Sequence, residues 1–205
     1  MALEATDITF GYPGARPLFE GVALSVAAGE RVALSAPSGF GKTTLCRILS
    51  GYIEPQTGSV FVDGRPLPRR GARPVQLLWQ HPEQAFDPRL RMARSLAEAG
   101  EVGGERCRAL RERFGVREAW LSRLPHELSG GELMRCCMVR ALMVGPRYLV
   151  ADEATAMLDA ITQAELWRAL LEDVDREDMG LVMVSHSPSL VEHVATRTVC
   201  LDARS

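Results

Sequence analysis

The sequence contains no asparagine, and Lys42 is its only lysine. Arginine supplies every other side-chain cation, as coding bias in a GC-rich genome would. Arginine's planar fork differs in shape from lysine's compact ammonium, so a position that keeps lysine against that bias has a role arginine cannot fill. No uninterrupted apolar run exceeds four residues, against the roughly 20 that a membrane-spanning helix needs. Met1-Ala2-Leu3-Glu4 lacks the basic and apolar regions of a signal peptide, and the expected location is cytoplasmic. Neither sign of charge dominates: 24 Lys and Arg face 26 Asp and Glu, for a net charge of −2. That balance excludes a protein that coats nucleic acid or an acidic membrane surface. The five cysteines, Cys46, Cys107, Cys136, Cys137 and Cys200, form no C-x-x-C pair. They read as buried thiols in a reducing compartment. A redox role for the vicinal pair Cys136-Cys137 is the sharper alternative, but adjacent cysteines in a helix have poor bridging geometry.

What is present is an ordinary globular composition: 205 residues, 46% hydrophobic and 24% charged, enough for one domain with room for a subdomain. The first third reads as strands and turns, with β-forming residues at 8–10, 22–26, 31–36 and 60–62 between Gly, Pro and Asp punctuation. After the buried strand at 31–36 a glycine loop runs into a helix carrying Leu45, Ile48 and Leu49, closed by Gly51. A further strand occupies 75–79. Residues 89–144 are charged and helical in period, and Leu133, Met134, Cys137, Met138, Ala141 and Leu142 form a wide apolar stripe on one helix. The last third alternates again: strands at 148–151, 181–184 and 198–201, and a helix over 161–174. Buried strands alternating with helices predict an α/β fold with a mostly parallel sheet.

Three segments carry chemistry. Ala36-Pro37-Ser38-Gly39-Phe40-Gly41-Lys42-Thr43 matches the phosphate loop G-x-x-x-x-G-K-[ST] except for Ala36 at the first glycine. Glycines let the backbone curl so that successive N–H groups point at phosphate oxygens, and the helix that follows adds its positive end. Lys42 then reaches the β- and γ-phosphates and the Thr43 hydroxyl ligates Mg²⁺. Alanine at the first position is compatible with a negative φ at the strand exit. The bland alternative is a glycine turn before an ordinary helix. At the end of the strand at 148–151, Asp152 and Glu153 read as a Mg²⁺ ligand and a general base for water, or as a solvated turn. Ser129-x-x-Glu132 opens the striped helix as a capping box. A serine-capped N-terminus bearing Gly130 and Gly131 also suits a phosphate group.

Leu128-Ser129-Gly130-Gly131-Glu132 resembles the L-S-G-G-Q signature of ATP-binding cassette (ABC) ATPases. Other segments match the family in order. Tyr12 resembles the aromatic that stacks on adenine, Gln80 the Q-loop glutamine, and Ala156-Met157-Leu158-Asp159 the D-loop with alanine for its usual serine. His186 resembles the switch histidine. The resemblance covers nearly the whole chain. It implies a P-loop NTPase fold of ABC type: residues 1–88 and 145–205 form a RecA-like core with an N-terminal antiparallel β subdomain, and 89–144 an inserted helical subdomain. It implies ATP and Mg²⁺ as cofactors, with Lys42, Gln80, Glu153 and His186 as catalytic residues. Nucleotide contacts fall to Tyr12, Ser38, Gly39, Phe40, Gly41, Lys42, Thr43, Thr44 and Asp159, and metal contacts to Thr43, Gln80 and Asp152. Two cassettes would pair head to tail, each lending Ser129 to Glu132 to the other's ATP.

The stretch from Gln80 to Leu90, Gln-His-Pro-Glu-Gln-Ala-Phe-Asp-Pro-Arg-Leu, is similar to the segment after the Q-loop in dipeptide, oligopeptide and nickel importer ATPases. That similarity implies an importer's ATPase subunit, peripheral on the inner face of the cell membrane and docked to integral membrane permease subunits. Many members of that subfamily extend well past their last strand, which leaves the substrate open. Metal-uptake cassettes and cassettes of multisubunit enzymes share the resemblance. The alternatives are a soluble ABC ATPase and a nucleotide-gated partner of a non-transport complex. No basic stripe with interleaved aromatics predicts a nucleic-acid partner.

Overall fold

The computed structural model describes residues 1–68 and 71–201. Two sheets organise it. The first is antiparallel, in the order β2-β1-β4-β5, from β1 (Ala2–Phe10), β2 (Phe19–Ala27), β4 (Thr57–Val62) and β5 (Arg65–Pro66). The second is parallel, in the order β6-β7-β8-β3-β9, from β3 (Arg31–Ser35), β6 (Val75–Leu78), β7 (Tyr148–Asp152), β8 (Gly180–Val184) and β9 (Arg197–Cys200). The helices are α1 (Lys42–Leu49), α2 (Met92–Ala97), α3 (Glu105–Arg113), α4 (Gly130–Met143), α5 (Ala160–Arg176) and α6 (Pro188–Val194).

Every residue of β7 and β8 is buried, because both faces of the parallel sheet are covered. Successive side chains point to opposite faces. Val32, Val150, Val182 and Val184 therefore enter one core with α1 and the antiparallel sheet, while Ala33, Leu149, Ala151, Leu181 and Met183 enter another with α4 and α5. Continuous apolar runs in these strands, rather than alternation, follow from that two-sided burial.

Three expectations are corrected. Cys200 is exposed at the end of edge strand β9, whereas the other four cysteines are buried; all five are free thiols. β1 begins at Ala2 rather than near residue 8, and it changes register between Ala5 and Ile8, where Asp7 takes a φ of 53°. The irregularity hides the strand's alternation and is matched across the sheet by Gly58, where a Cβ would sit 2.3 Å from the Asp7 carbonyl oxygen. Finally, α4 carries more than a stripe: Cys136, Val139 and Met143 are buried as well. It packs against α2, α3, α5 and β6, and its two arginines bridge outward, Arg135 to Glu165 and Arg140 to Glu98, both at 3.0 Å.

Candidate functional site

The loop from Ala36 to Thr43, Gln80, the Asp152-Glu153 pair and His186 lie at or just past the carboxyl ends of the parallel strands β3, β6, β7 and β8, the edge at which open α/β sheets bind ligands. β8 lies between β3 and β7. The segment after β8, which carries His186, therefore emerges between the loop after β3 and the acidic pair at the end of β7. The sequence gives no local sign of that strand order.

The loop after β3 is built to expose its backbone. Gly39 and Gly41 take φ of 81° and 97°, values that disfavour any side chain bearing a Cβ. At Gly41 a Cβ would also lie 3.0 Å from a Leu18 methyl. Ala36 has a negative φ, so the substituted first glycine imposes no strain. Between the glycines, Phe40 is buried and stacks on Phe19 with ring centroids 5.5 Å apart. Its side chain anchors the loop, and its N–H donates to the Pro37 carbonyl at 3.2 Å. Gly41 caps α1 without a side-chain partner, leaving the first-turn N–H groups as donors for an anion. Lys42 Nζ donates to the carbonyl oxygens of Ala36 at 2.9 Å and Pro37 at 3.3 Å, a compact three-donor ammonium held over the loop it would serve.

Asp152 is 4% exposed, and its Oδ1 is buried without a hydrogen-bond partner. Burial pushes its pKa up from the usual carboxylate value; the neighbouring Thr43 hydroxyl opposes that shift and the Glu153 charge adds to it. A buried, orphaned carboxylate oxygen beside a hydroxyl is a fit for a small hard cation. Among the described residues no cluster of three or more acidic, His or Cys side chains could enclose a metal by itself.

Glu153 is the hub of the site. Its Oε2 accepts a hydrogen bond from Gln80 Nε2 at 3.2 Å, and its Oε1 lies 3.1 Å from His186 Nε2. Three residues singled out separately in the sequence thus meet at one carboxylate. The Glu153 backbone has a φ of 49°, a left-handed conformation that L residues with long side chains rarely adopt. Backbone strain of this kind concentrates at functional sites.

Ser129 and Glu132 form the reciprocal cap of α4: Glu132 N–H donates to Ser129 Oγ at 3.3 Å and Ser129 N–H to Glu132 Oε2 at 2.8 Å. The Ser129 N–H holds the Glu132 carboxyl below its ordinary pKa. Glu132 is engaged with its own helix, and what the cap offers outward is the backbone of Gly130 and Gly131. This N-terminus lines a cleft of ≈ 530 Å³ with Gln80, His81, Met157, Leu158 and Asp159. None of residues 36–44 lines it. Tyr12 stands over α1, half exposed, with its ring edge-on to Phe10 and its hydroxyl 3.3 Å from Thr44 Oγ1.

Residues 19–156 match the ABC transporter family. The chain belongs to that family. The cassette is 35% identical over 212 residues to the nickel import ATP-binding protein NikE of Rhodospirillum rubrum, covering 94% of this chain and 75% of the relative. To the di/tripeptide transport ATP-binding protein DppF of Pseudomonas aeruginosa it is 32% identical over 217 residues, covering 94% and 67%. Its fold superposes on the solved structure of an ATP-binding subunit of an ABC transporter with a TM-score of 0.84 at 25% identity, covering 99% of this chain and 87% of that one. A dimeric cassette, MJ0796, bound to ADP and Pi gives 0.83 at 23% identity, covering 98% and 94%.

Two features of the cassette escaped the motifs. His81 lies in the cleft with Ser129, beside Glu83 at 3.6 Å. Thr155 is 2% exposed, and its Oγ1 accepts hydrogen bonds from Gln163 Nε2 and Trp167 Nε1, both at 2.8 Å. The available signal was indirect: a tryptophan on the buried face of a helix needs an acceptor for its N–H.

Proposed function

We propose that this cassette is the ATP-hydrolysing subunit of an importer, driving uptake of a peptide, nickel or a related small solute through integral membrane permease subunits. The observation that carries the reading is the Gln80–Glu153–His186 network at the same sheet edge as the Lys42 loop. The importer assignment rests on the peptide and nickel import relatives. Among the described residues no helix is long and apolar enough to cross a membrane.

In this reading the N–H groups of residues 39–43 and the Lys42 ammonium hold the ATP phosphates, and Tyr12 offers its exposed face to adenine. Thr43 and Asp152, with Gln80, would hold Mg²⁺, which supplies charge neutralisation at the β- and γ-phosphate oxygens. Glu153 accepts the proton of the attacking water as its oxygen bonds to the γ-phosphorus and the bond to ADP breaks. Gln80 and His186 fix the carboxylate's orientation, and a base so placed contributes about 10²–10⁴ in rate. None of residues 36–44 lines the cleft of Ser129, Gly130 and Gly131, which suits a head-to-tail pair in which these three cover the partner's γ-phosphate.

The test compares wild type with Glu153→Gln. Steady-state hydrolysis that rises more than linearly with protein concentration, and is lost in the variant while ATP still binds and produces a dimer by light scattering, supports the reading. Undiminished hydrolysis in Glu153→Gln overturns the base assignment. ATP binding with background hydrolysis at every concentration overturns the identical pair and points to a different cassette as partner.

A further inference from the structure

Glu153 holds a left-handed φ of 49° at the exit of β7. Such a conformation persists only where surrounding contacts over-determine it. Upstream the reason is visible: Asp152 pairs with Val184 in the β7–β8 register, and Glu153 N–H donates to the Val184 carbonyl at 3.0 Å. Downstream, the chain is tied to α5 at Thr155, whose carbonyl accepts from Gln163 Nε2 at 3.4 Å. Thr155 Oγ1 takes both N–H bonds from Gln163 and Trp167, residues one turn apart on a single face of α5. Both acceptor positions of that oxygen are filled. The Thr155 carbonyl accepts from Leu158 N–H at 3.1 Å and the Glu153 carbonyl from Ala156 N–H at 3.0 Å. The helix that supplies the two donors is itself started from the same loop, since Asp159 caps it through Ile161 and Thr162.

We propose that Thr155, gripped by Gln163 and Trp167, is the positioning residue that holds Glu153 in its productive backbone geometry. The hydroxyl ties the loop to a long, well-packed helix at the second residue beyond the base. Replacing Thr155 with valine keeps shape but orphans the buried Trp167 N–H and leaves Gln163 Nε2 only its longer bond to the Thr155 carbonyl at 3.4 Å, and the loop is released to relax the Glu153 backbone. The proposal rests on the reading of Glu153 as the general base.

The test uses the full chain and three variants, with steady-state hydrolysis and amide hydrogen exchange as readouts. In Thr155→Val, kcat falls about tenfold, as expected for about 1.4 kcal/mol of lost positioning, while KM for ATP stays within about twofold because the Lys42 loop is untouched. The Ala156 and Leu158 amides exchange about tenfold faster. Thr155→Ser, which keeps the acceptor, restores both readouts. Trp167→Phe removes one donor from an otherwise intact aromatic site and moves both readouts in the same direction by less, which keeps the proposal testable if the valine variant does not fold. Wild-type kcat and exchange in Thr155→Val, or no restoration by serine, overturns the proposal. Hydrogen exchange needs no turnover, so it decides the matter even where hydrolysis requires another chain. If Glu153→Gln keeps its hydrolysis, the base assignment has failed; if Glu153→Gln is inactive and Thr155→Val is not, only the clamp has failed.

Discussion

His186 Nε2 lies 3.1 Å from Glu153 Oε1, although the histidine is largely exposed and the glutamate sits on a strained backbone. The contact spans the ends of β7 and β8, adjacent strands of the parallel sheet. The φ of 49° at Glu153 implies a cost to the fold. Glu153→Ala and Glu153→Gly both remove the carboxylate and its bonds to Gln80 and His186, but only glycine relieves the positive φ. The glycine variant is expected to be more stable than the alanine variant by about 1 kcal/mol, with both inactive. Urea denaturation of the pair measures the difference, and equal midpoints would mean that the φ of 49° carries no strain.

Lys42 places its ammonium 2.9 Å from the Ala36 carbonyl oxygen and 3.3 Å from that of Pro37. Lys42→Arg keeps the charge and changes only the shape. It is expected to weaken ATP binding about 10- to 100-fold, the equivalent of one charge-assisted hydrogen bond. Isothermal titration with ATP would read the loss directly. An arginine variant that binds as well as wild type would show that the lone lysine answers to charge alone.

Asp152 is a buried carboxylate whose Oδ1 has no hydrogen-bond partner. Burial raises its folded-state pKa, so its stabilising contribution is present only below the unfolded value near 4 and is lost as pH rises through the folded value. At neutral pH the ionised carboxylate is therefore a net burden on the ligand-free fold. Asp152→Asn is expected to melt higher than wild type without ligand at pH 7, and to lose the additional stabilisation that Mg²⁺ gives in the presence of ATP. Thermal melts with and without Mg²⁺ and ATP test both halves, and a lower ligand-free melting temperature in Asp152→Asn would contradict the first.

The chemistry was more legible in the sequence than its arrangement. The phosphate loop, the acidic pair and the signature cap are contiguous, because backbone curl, strand exit and helix N-terminus each need neighbouring residues of set types. Their convergence depends on β8 lying between β3 and β7, a pairing decided by packing on both sheet faces. Thr155 was invisible for a similar reason: its partners Gln163 and Trp167 are a helix turn apart, and only the docking of α5 brings them to the loop. The first half of β1 was lost to the register shift at Asp7. Cys200 gave no sign of its exposure, since an edge strand and a central one look alike over four residues.

The loop that carries Glu153 ends at Asp159, and that cap gives a pH signature of its own. The carboxylate accepts N–H bonds from Thr162 at 3.0 Å and Ile161 at 3.1 Å, which hold its pKa below the ordinary 3.8. A folded value below the unfolded one means that ionised Asp159 stabilises the protein fully above about pH 4, and that the contribution fades as pH falls through the folded value. Asparagine also caps helices but does not titrate and lacks the charge that favours a helix N-terminus. Wild type is therefore expected to be more stable than Asp159→Asn at pH 7, with the gap narrowing below about pH 4. Denaturant midpoints for the two proteins at pH 7 and pH 3 isolate this one group, since every other acid titrates in both. A gap that stays constant across that range would mean that Asp159 caps α5 by hydrogen bonding alone, with its charge contributing nothing.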